Sequence, residues 1–241
     1  MARNRELEDP RRRVLVRALS LGALGGAWIP DAAAQLFGNR PGTLPAGRSI
    51  YRLVGEVGVN GKAATLQTVV NPGDTVRTGK GSECIFVVAG HSMIMRENSS
   101  LTIDAQEADS GLVRGLRILA GALLQVSRGS RIGVTTANAS IGIRGTGFYV
   151  EAEPNRTYFC TCYGVTDIAA ASDPDSRETI TATHHDRPVY VVSDAARGKG
   201  IRNAPFVNHT DQELALIEAL VGREPPFVFP KDSYGGPRRE Y

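Results

Sequence analysis

The chain has 241 residues, with 28 Lys and Arg against 25 Asp and Glu, a formal charge of +3. Six arginines and four acids fall within residues 1–34, so the remaining 22 basic and 21 acidic residues carry only +1. A balance that close to neutral excludes the electrostatic footprint of a nucleic-acid or anionic-membrane binder. Three cysteines are too few, and odd in number, for a disulfide framework.

Positive charge at Arg11-Arg12-Arg13 precedes an uncharged run of 12 residues from Ala18 to Ile29, and Ala32-Ala33-Ala34 offers small residues for cleavage. That order predicts an export signal over 1–34, cut near Ala34, and a periplasmic or secreted bacterial protein. The run is shorter than the roughly 20 residues of a spanning helix, so the mature form is expected to have no membrane span. The paired arginines fit part of the twin-arginine pattern, but Pro10 and Val14 stand where it has Ser/Thr and Phe, so both export routes stay open.

Residues 35–50, with Gly38, Pro41, Gly42, Pro45 and Gly47, read as a linker. From there to Val192 short apolar runs alternate with glycine and polar turns, which predicts an all-β domain over 51–192. Val57 and Val59 lead into Asn60-Gly61, a tight-hairpin signal. Asn71-Pro72-Gly73-Asp74 is a turn in which proline presets one angle and glycine permits the next. Strand runs follow at 84–88, 93–95, 101–103, 121–126, 132–139, 141–150 and 158–166, with Arg144-Gly145-Thr146-Gly147 interrupting one of them as a sheet corner. Residues 169–187 are rich in Ser, Thr, Asp and Arg and read as an exposed connection before a last strand, Val189–Val192. The C-terminal extension, 193–241, holds one amphipathic helix near 210–221. Thr210 and Glu213 have capping-box spacing, and Leu214, Ile217, Leu220 and Val221 supply its apolar stripe. That stripe is expected to cover an open end or face of the β domain, with a partner's groove as the other option. The tail from Lys231 is polar and loose.

Cys160 and Cys162, two apart in a strand run, place both thiols on one face. The pair reads either as a ledge for a soft metal, lacking about two further donors, or as two small buried core residues. Cys84, His91, His184, His185 and His209 are the candidate donors, and nothing in the sequence brings them near; His184-His185 reads as two surface histidines in a polar connection. Arg144 and Thr146 at the corner either satisfy neighbouring backbone or face a partner. No nucleophile elbow, metalloprotease helix or phosphate-cradling loop is present in the sequence. The expectation is therefore not an enzyme, with no cofactor other than a metal at Cys160 and Cys162.

Several of these segments, taken in order, resemble the FecR domain family. They are the turn from Gly73 to Ser82, the strand Gly90–Met95, the strand Ser99–Ile103, the glycine-led strand Gly121–Val126, the Thr135-Thr136 strand, the corner followed by Phe148 and Val150, and a final strand ending in a glycine, Gly164. The resemblance covers about Gly55 to Ile168. It implies a twisted, solenoid-like β roll and a periplasmic domain of the kind that acts in transmembrane signalling to a sigma factor in iron uptake. A 34-residue leader leaves no room for the cytoplasmic domain of such a regulator. The expectation is the domain alone, exported, as a non-enzymatic envelope module that binds another envelope protein. The alternative is an exported metal- or redox-active protein using Cys160 and Cys162.

Overall fold

A computed structural model describes residues 41–107, 111–127 and 131–227. The expected export signal and the polar tail from Lys231 lie outside the described residues. Residues 41–49, the described part of the expected linker, hold neither helix nor strand, and the Leu44 N–H donates to the Leu220 carbonyl at 2.9 Å.

The described residues are mostly strand, as the sequence predicts. Its first half gives β1 (Ile50–Val54), β2 (Val57–Val59), β3 (Lys62–Ala63), β4 (Thr75–Thr78), β5 (Glu83–Val88), β6 (His91–Met95) and β7 (Ser100–Ala105). The turns between them follow from their residues. Asn60 and Gly61 both take positive φ, as a two-residue hairpin requires, and Ala89 and Gly90 do the same between β5 and β6. Three long strands follow, β8 (Val113–Val126), β10 (Ala139–Glu153) and β11 (Arg156–Ala170), with β9 (Arg131–Thr135) between the first two. The chain then runs through β12 (Asp173–Ala182), β13 (Val189–Val192), β14 (Ile201–Asn203) and the helix α1 (Asp211–Leu220).

The long strands bend, and each half of a bent strand has its own neighbours. Residues 139–144 of β10 pair with β9 and with the far half of β11; residues 147–152 pair with β8 and the near half of β11. Likewise β8 pairs with β7 and β9 before Gly121, and with β6 and β10 from there on. The sheet thereby curls over on itself. Its two halves face each other across one core, in which Val76, Leu101, Leu116 and Ile141 from one half meet Phe86, Met93, Phe148 and Phe159 from the other.

The half built from β5, β6, β8, β10, β11 and β13 is buried on both faces. Cys84 and Phe86 point to the inner core while Ile85 points out; Met93 and Met95 point in while Ile94 points out; Phe159 points in while Tyr158 and Cys160 point out. The outward set forms a second core with Leu214, Ile217 and Leu220 of α1, so the helix covers a face of its own domain. Thr210 caps the helix: its hydroxyl accepts from the Glu213 N–H while the Glu213 carboxylate accepts from the Thr210 N–H. Among the described residues, no helix is long and apolar enough to cross a membrane.

Residues 169–187 do not form an exposed connection. They hold β12, which pairs along the far half of β11. Its only apolar inward residues are Ile180 and Ala182, while Asp173 and Ser176 are also buried and bond each other at 2.7 Å. Hydrogen-bonded polar residues stand where a strand pattern needs apolar ones. β14 extends the other edge, where the sequence pattern predicts no strand.

Candidate functional site

Two features of the sequence carried candidate chemistry. The structure places them on different parts of β10 and β11.

At the corner, Gly145 takes φ +61°, and β10 changes partner from β9 to β8 between Arg144 and Gly147. Gly147 has no room for a side chain, because a Cβ there would lie 2.5 Å from the Tyr163 ring. Arg144 is half-exposed and reaches across to β11, where its guanidinium donates to Asp167 at 2.7 Å. The Thr179 hydroxyl donates to the same carboxylate at 2.7 Å. Thr179 first, and Arg144 after it, hold the Asp167 carboxyl below the usual carboxylate range. The Thr146 side chain lies outside the described residues.

The second feature is a cluster beneath α1. Cys160 and Cys162 project from the outer face of β11 and are completely buried. His185 comes from the connection between β12 and β13. Its backbone N–H donates to the Cys162 carbonyl at 2.9 Å, which pins the connection to β11. His209 comes from the segment between β14 and α1, is fully buried and stacks on Tyr149 with ring centroids 4.6 Å apart. The Cys160 Sγ lies 3.5 Å from His185 Nδ1, and His209 Nε2 lies 3.2 Å from the same nitrogen. One donor atom from each of the four residues falls within 4.8 Å of every other. The sequence flagged the two cysteines and the right pool of histidines; the fold selects His185 and His209 from it.

The reading of His184 and His185 as two surface histidines is corrected for His185, whose side chain is only 8% exposed. Its ring packs against Phe206 at 4.5 Å between centroids. Its Nε2 bonds Asp211 at 3.0 Å, and His184 bonds the same carboxylate at 2.9 Å. Asp211, the first residue of α1, thus joins the helix start to this pair of rings. The other candidate donors lie elsewhere. Cys84 faces the inner core, where burial and then Glu83 push its thiol up to about 12. His91 bonds Gln125. All three cysteines are free thiols.

The cluster splits the two thiols. Burial pushes Cys160 up, but hydrogen bonds from Cys162, His185 and His209 outweigh it and leave that thiol well below its ordinary value. Burial and the Cys160 sulfur drive Cys162 well above it. Burial lowers His185, yet Cys160 and Asp211 outweigh burial and raise it. The arrangement suits one thiolate held by imidazoles, or a cation held by all four groups.

The fold and these residues can now be set beside known proteins. The family model described as FecR protein matches residues 74–164. Over those residues the chain is similar to that family. The match runs from the start of β4 into the middle of β11, so it includes the corner and both cysteines. His185, His209 and α1 lie beyond it. Two crystal structures of a putative anti-sigma factor from Parabacteroides distasonis ATCC 8503 are similar at 15% identity. One, with a TM-score of 0.43, is matched over 54% of this chain and 58% of that one; the other, at 0.44, over 68% and 82%. No curated protein matches the chain.

Proposed function

We propose that this chain is a non-enzymatic binding module of the bacterial envelope, exported by its leader and working in signalling through contact with another envelope protein. The observation that carries this reading is the FecR domain match over residues 74–164. The corner supports it: Arg144 and Asp167 form a half-exposed charged pair where the sheet bends, a feature that a protein partner can read.

The test is expression of the tagged full chain, cell fractionation, and crosslinking in intact cells. The reading expects an N-terminus trimmed near Ala34 in the periplasmic or secreted fraction. It also expects one dominant crosslinked envelope protein, lost in Arg144→Glu. A chain retained untrimmed in the cytoplasm, or no specific crosslink in repeated captures, overturns it. The four-residue cluster favours a second reading, an exported metal- or redox-active protein. Cys160→Ser/Cys162→Ser separates the two: the binding module keeps its crosslinked partner, whereas a redox protein loses its function.

A further inference from the structure

We propose that Cys160, Cys162, His185 and His209 form a closed tetrahedral Zn²⁺ site that fastens the C-terminal segment to the FecR domain. The proposal rests on the cluster's own geometry and stands whether or not the binding role above is correct.

Zinc sits about 2.3 Å from thiolate sulfur and about 2.0–2.1 Å from imidazole nitrogen. At a tetrahedral angle those lengths set a sulfur–nitrogen edge of about 3.5 Å and a nitrogen–nitrogen edge of about 3.3 Å. The cluster shows 3.5 Å from Cys160 Sγ to His185 Nδ1, and 3.2 Å from His185 Nδ1 to His209 Nε2. Two sulfurs with two imidazoles is a zinc donor set, and cations that prefer oxygen are poorly served by it.

The hydrogen bonds outside the cluster point the same way. His209 Nδ1 lies 2.7 Å from the Val207 carbonyl, which can only accept, so that nitrogen carries a proton. His185 Nε2 faces the Asp211 carboxylate at 3.0 Å and likewise donates. In neutral rings, His185 Nδ1 and His209 Nε2 are then both bare lone pairs, aimed at each other at 3.2 Å beside two sulfurs. Such a meeting is relieved by a proton or by a cation between them, and the two sulfurs beside it suit a soft cation. A ligating histidine whose other nitrogen donates to a carboxylate or a carbonyl is also the usual support around a bound zinc.

Charge balances as well. Binding displaces two protons from the cluster, and two thiolates offset the 2+ ion, so the buried site gains no net charge. Cys160, Cys162 and His209 are fully buried and the His185 side chain is 8% exposed. Four protein ligands with no open position describe a structural rather than a catalytic zinc. The site would join β11 to the β12–β13 connection and to the residue just before the cap of α1. Both histidines come from outside the 74–164 match, so the ion would clasp the C-terminal addition to the family domain.

The full chain is purified under reducing conditions without added chelator, and its metal is measured by mass spectrometry. It is then stripped and refilled with Zn²⁺ or Co²⁺ alone. The proposal expects one zinc per chain. With Co²⁺ it expects intense tetrahedral visible bands and a thiolate charge-transfer band. Zinc should fall to none in Cys160→Ser/Cys162→Ser and in His209→Gln, and stripping should lower the melting temperature of the unaltered chain. That last readout holds even if the variants do not fold. Stripped, folded protein that takes up no zinc overturns the proposal and leaves the lone pairs held by a proton. So does zinc that persists in the double cysteine variant, or a weak octahedral Co²⁺ spectrum.

Discussion

Single atoms decide several features of this molecule. Gly121 stands where β8 changes partners, with φ +82°, and a Cβ there would lie 2.5 Å from the backbone Cα of Ser99. Gly121→Ala combines positive-φ strain with a backbone clash and should cost about 3 kcal/mol, measured by urea denaturation. Gly133→Ala, in β9 with nothing within 4 Å, should stay within about 0.5 kcal/mol. Equal costs would show that the bend does not depend on Gly121. His91 gives a prediction in pH. Burial, and then Arg223, lower it to about 4, and Gln125 Nε2 donates to its Nδ1, a bond that protonation would remove. Unfolding frees His91 to titrate near its ordinary 6.5, so the unfolded chain binds the extra proton between about pH 6.5 and 4. Its contribution is complete above about 6.5 and is lost as pH falls through that window, by up to about 3 kcal/mol. Stability measured at pH 7 and 4.5 should fall less in His91→Gln than in the unaltered chain. At this scale the sequence showed half of the candidate metal centre. Cys160 and Cys162 share a face through strand period alone. His185 and His209 lie 25 and 49 residues beyond Cys160, and only the course of β12 and the return of the chain after β14 bring them back.

Elements written in local signals were readable, and elements that depend on their neighbours were not. The helix announced itself through Thr210, Glu213 and an apolar stripe, and it starts where that cap places it. β12 was hidden because its buried positions include Asp173 and Ser176, which satisfy each other and the Gly198 and Gly200 amides. No periodicity of apolar residues could reveal it. The attachment of α1 was equally hidden, because it includes buried charge. Arg96, after β6, donates to Glu213 of the helix at 2.8 Å and to Glu83 at 2.9 Å, with the Arg96 and Glu213 side chains 8% and 6% exposed. Arg96→Met strands the Glu213 carboxylate in the interior and should cost about 3 kcal/mol or more. Adding Glu213→Gln removes the stranded charge and keeps an acceptor for the cap, so the double variant should be more stable than Arg96→Met alone. A double variant that is less stable than either single one would show that the pair is not coupled.

Across the whole molecule, the sheet half under the helix explains a pattern in the sequence. Cys84-Ile85-Phe86-Val87-Val88 and Met93-Ile94-Met95 are apolar without alternation, as strands are when both faces are covered. The all-β class was legible from strand spacing and turns, whereas the second core was not, since the runs do not say what covers the outer face. α1 covers it, burying Leu214, Ile217 and Leu220 against Ile85, Ile94, Leu124 and Tyr149. At about 2 kcal/mol for each fully buried aliphatic side chain, the three helix residues contribute on the order of 6 kcal/mol to holding it down. A chain ending at Asn203 loses that cover along with His209 and Asp211. It should keep its inner core and far-ultraviolet strand signal, bind an apolar dye, and self-associate in light scattering through the uncovered face. Full-length Leu214→Asp/Ile217→Asp should do the same while keeping every residue of the cysteine–histidine cluster, which separates loss of apolar cover from loss of the candidate metal ligands. If both proteins stay monomeric and dye-negative, the sheet does not need its helix, and the second core is not what holds the C-terminal segment in place.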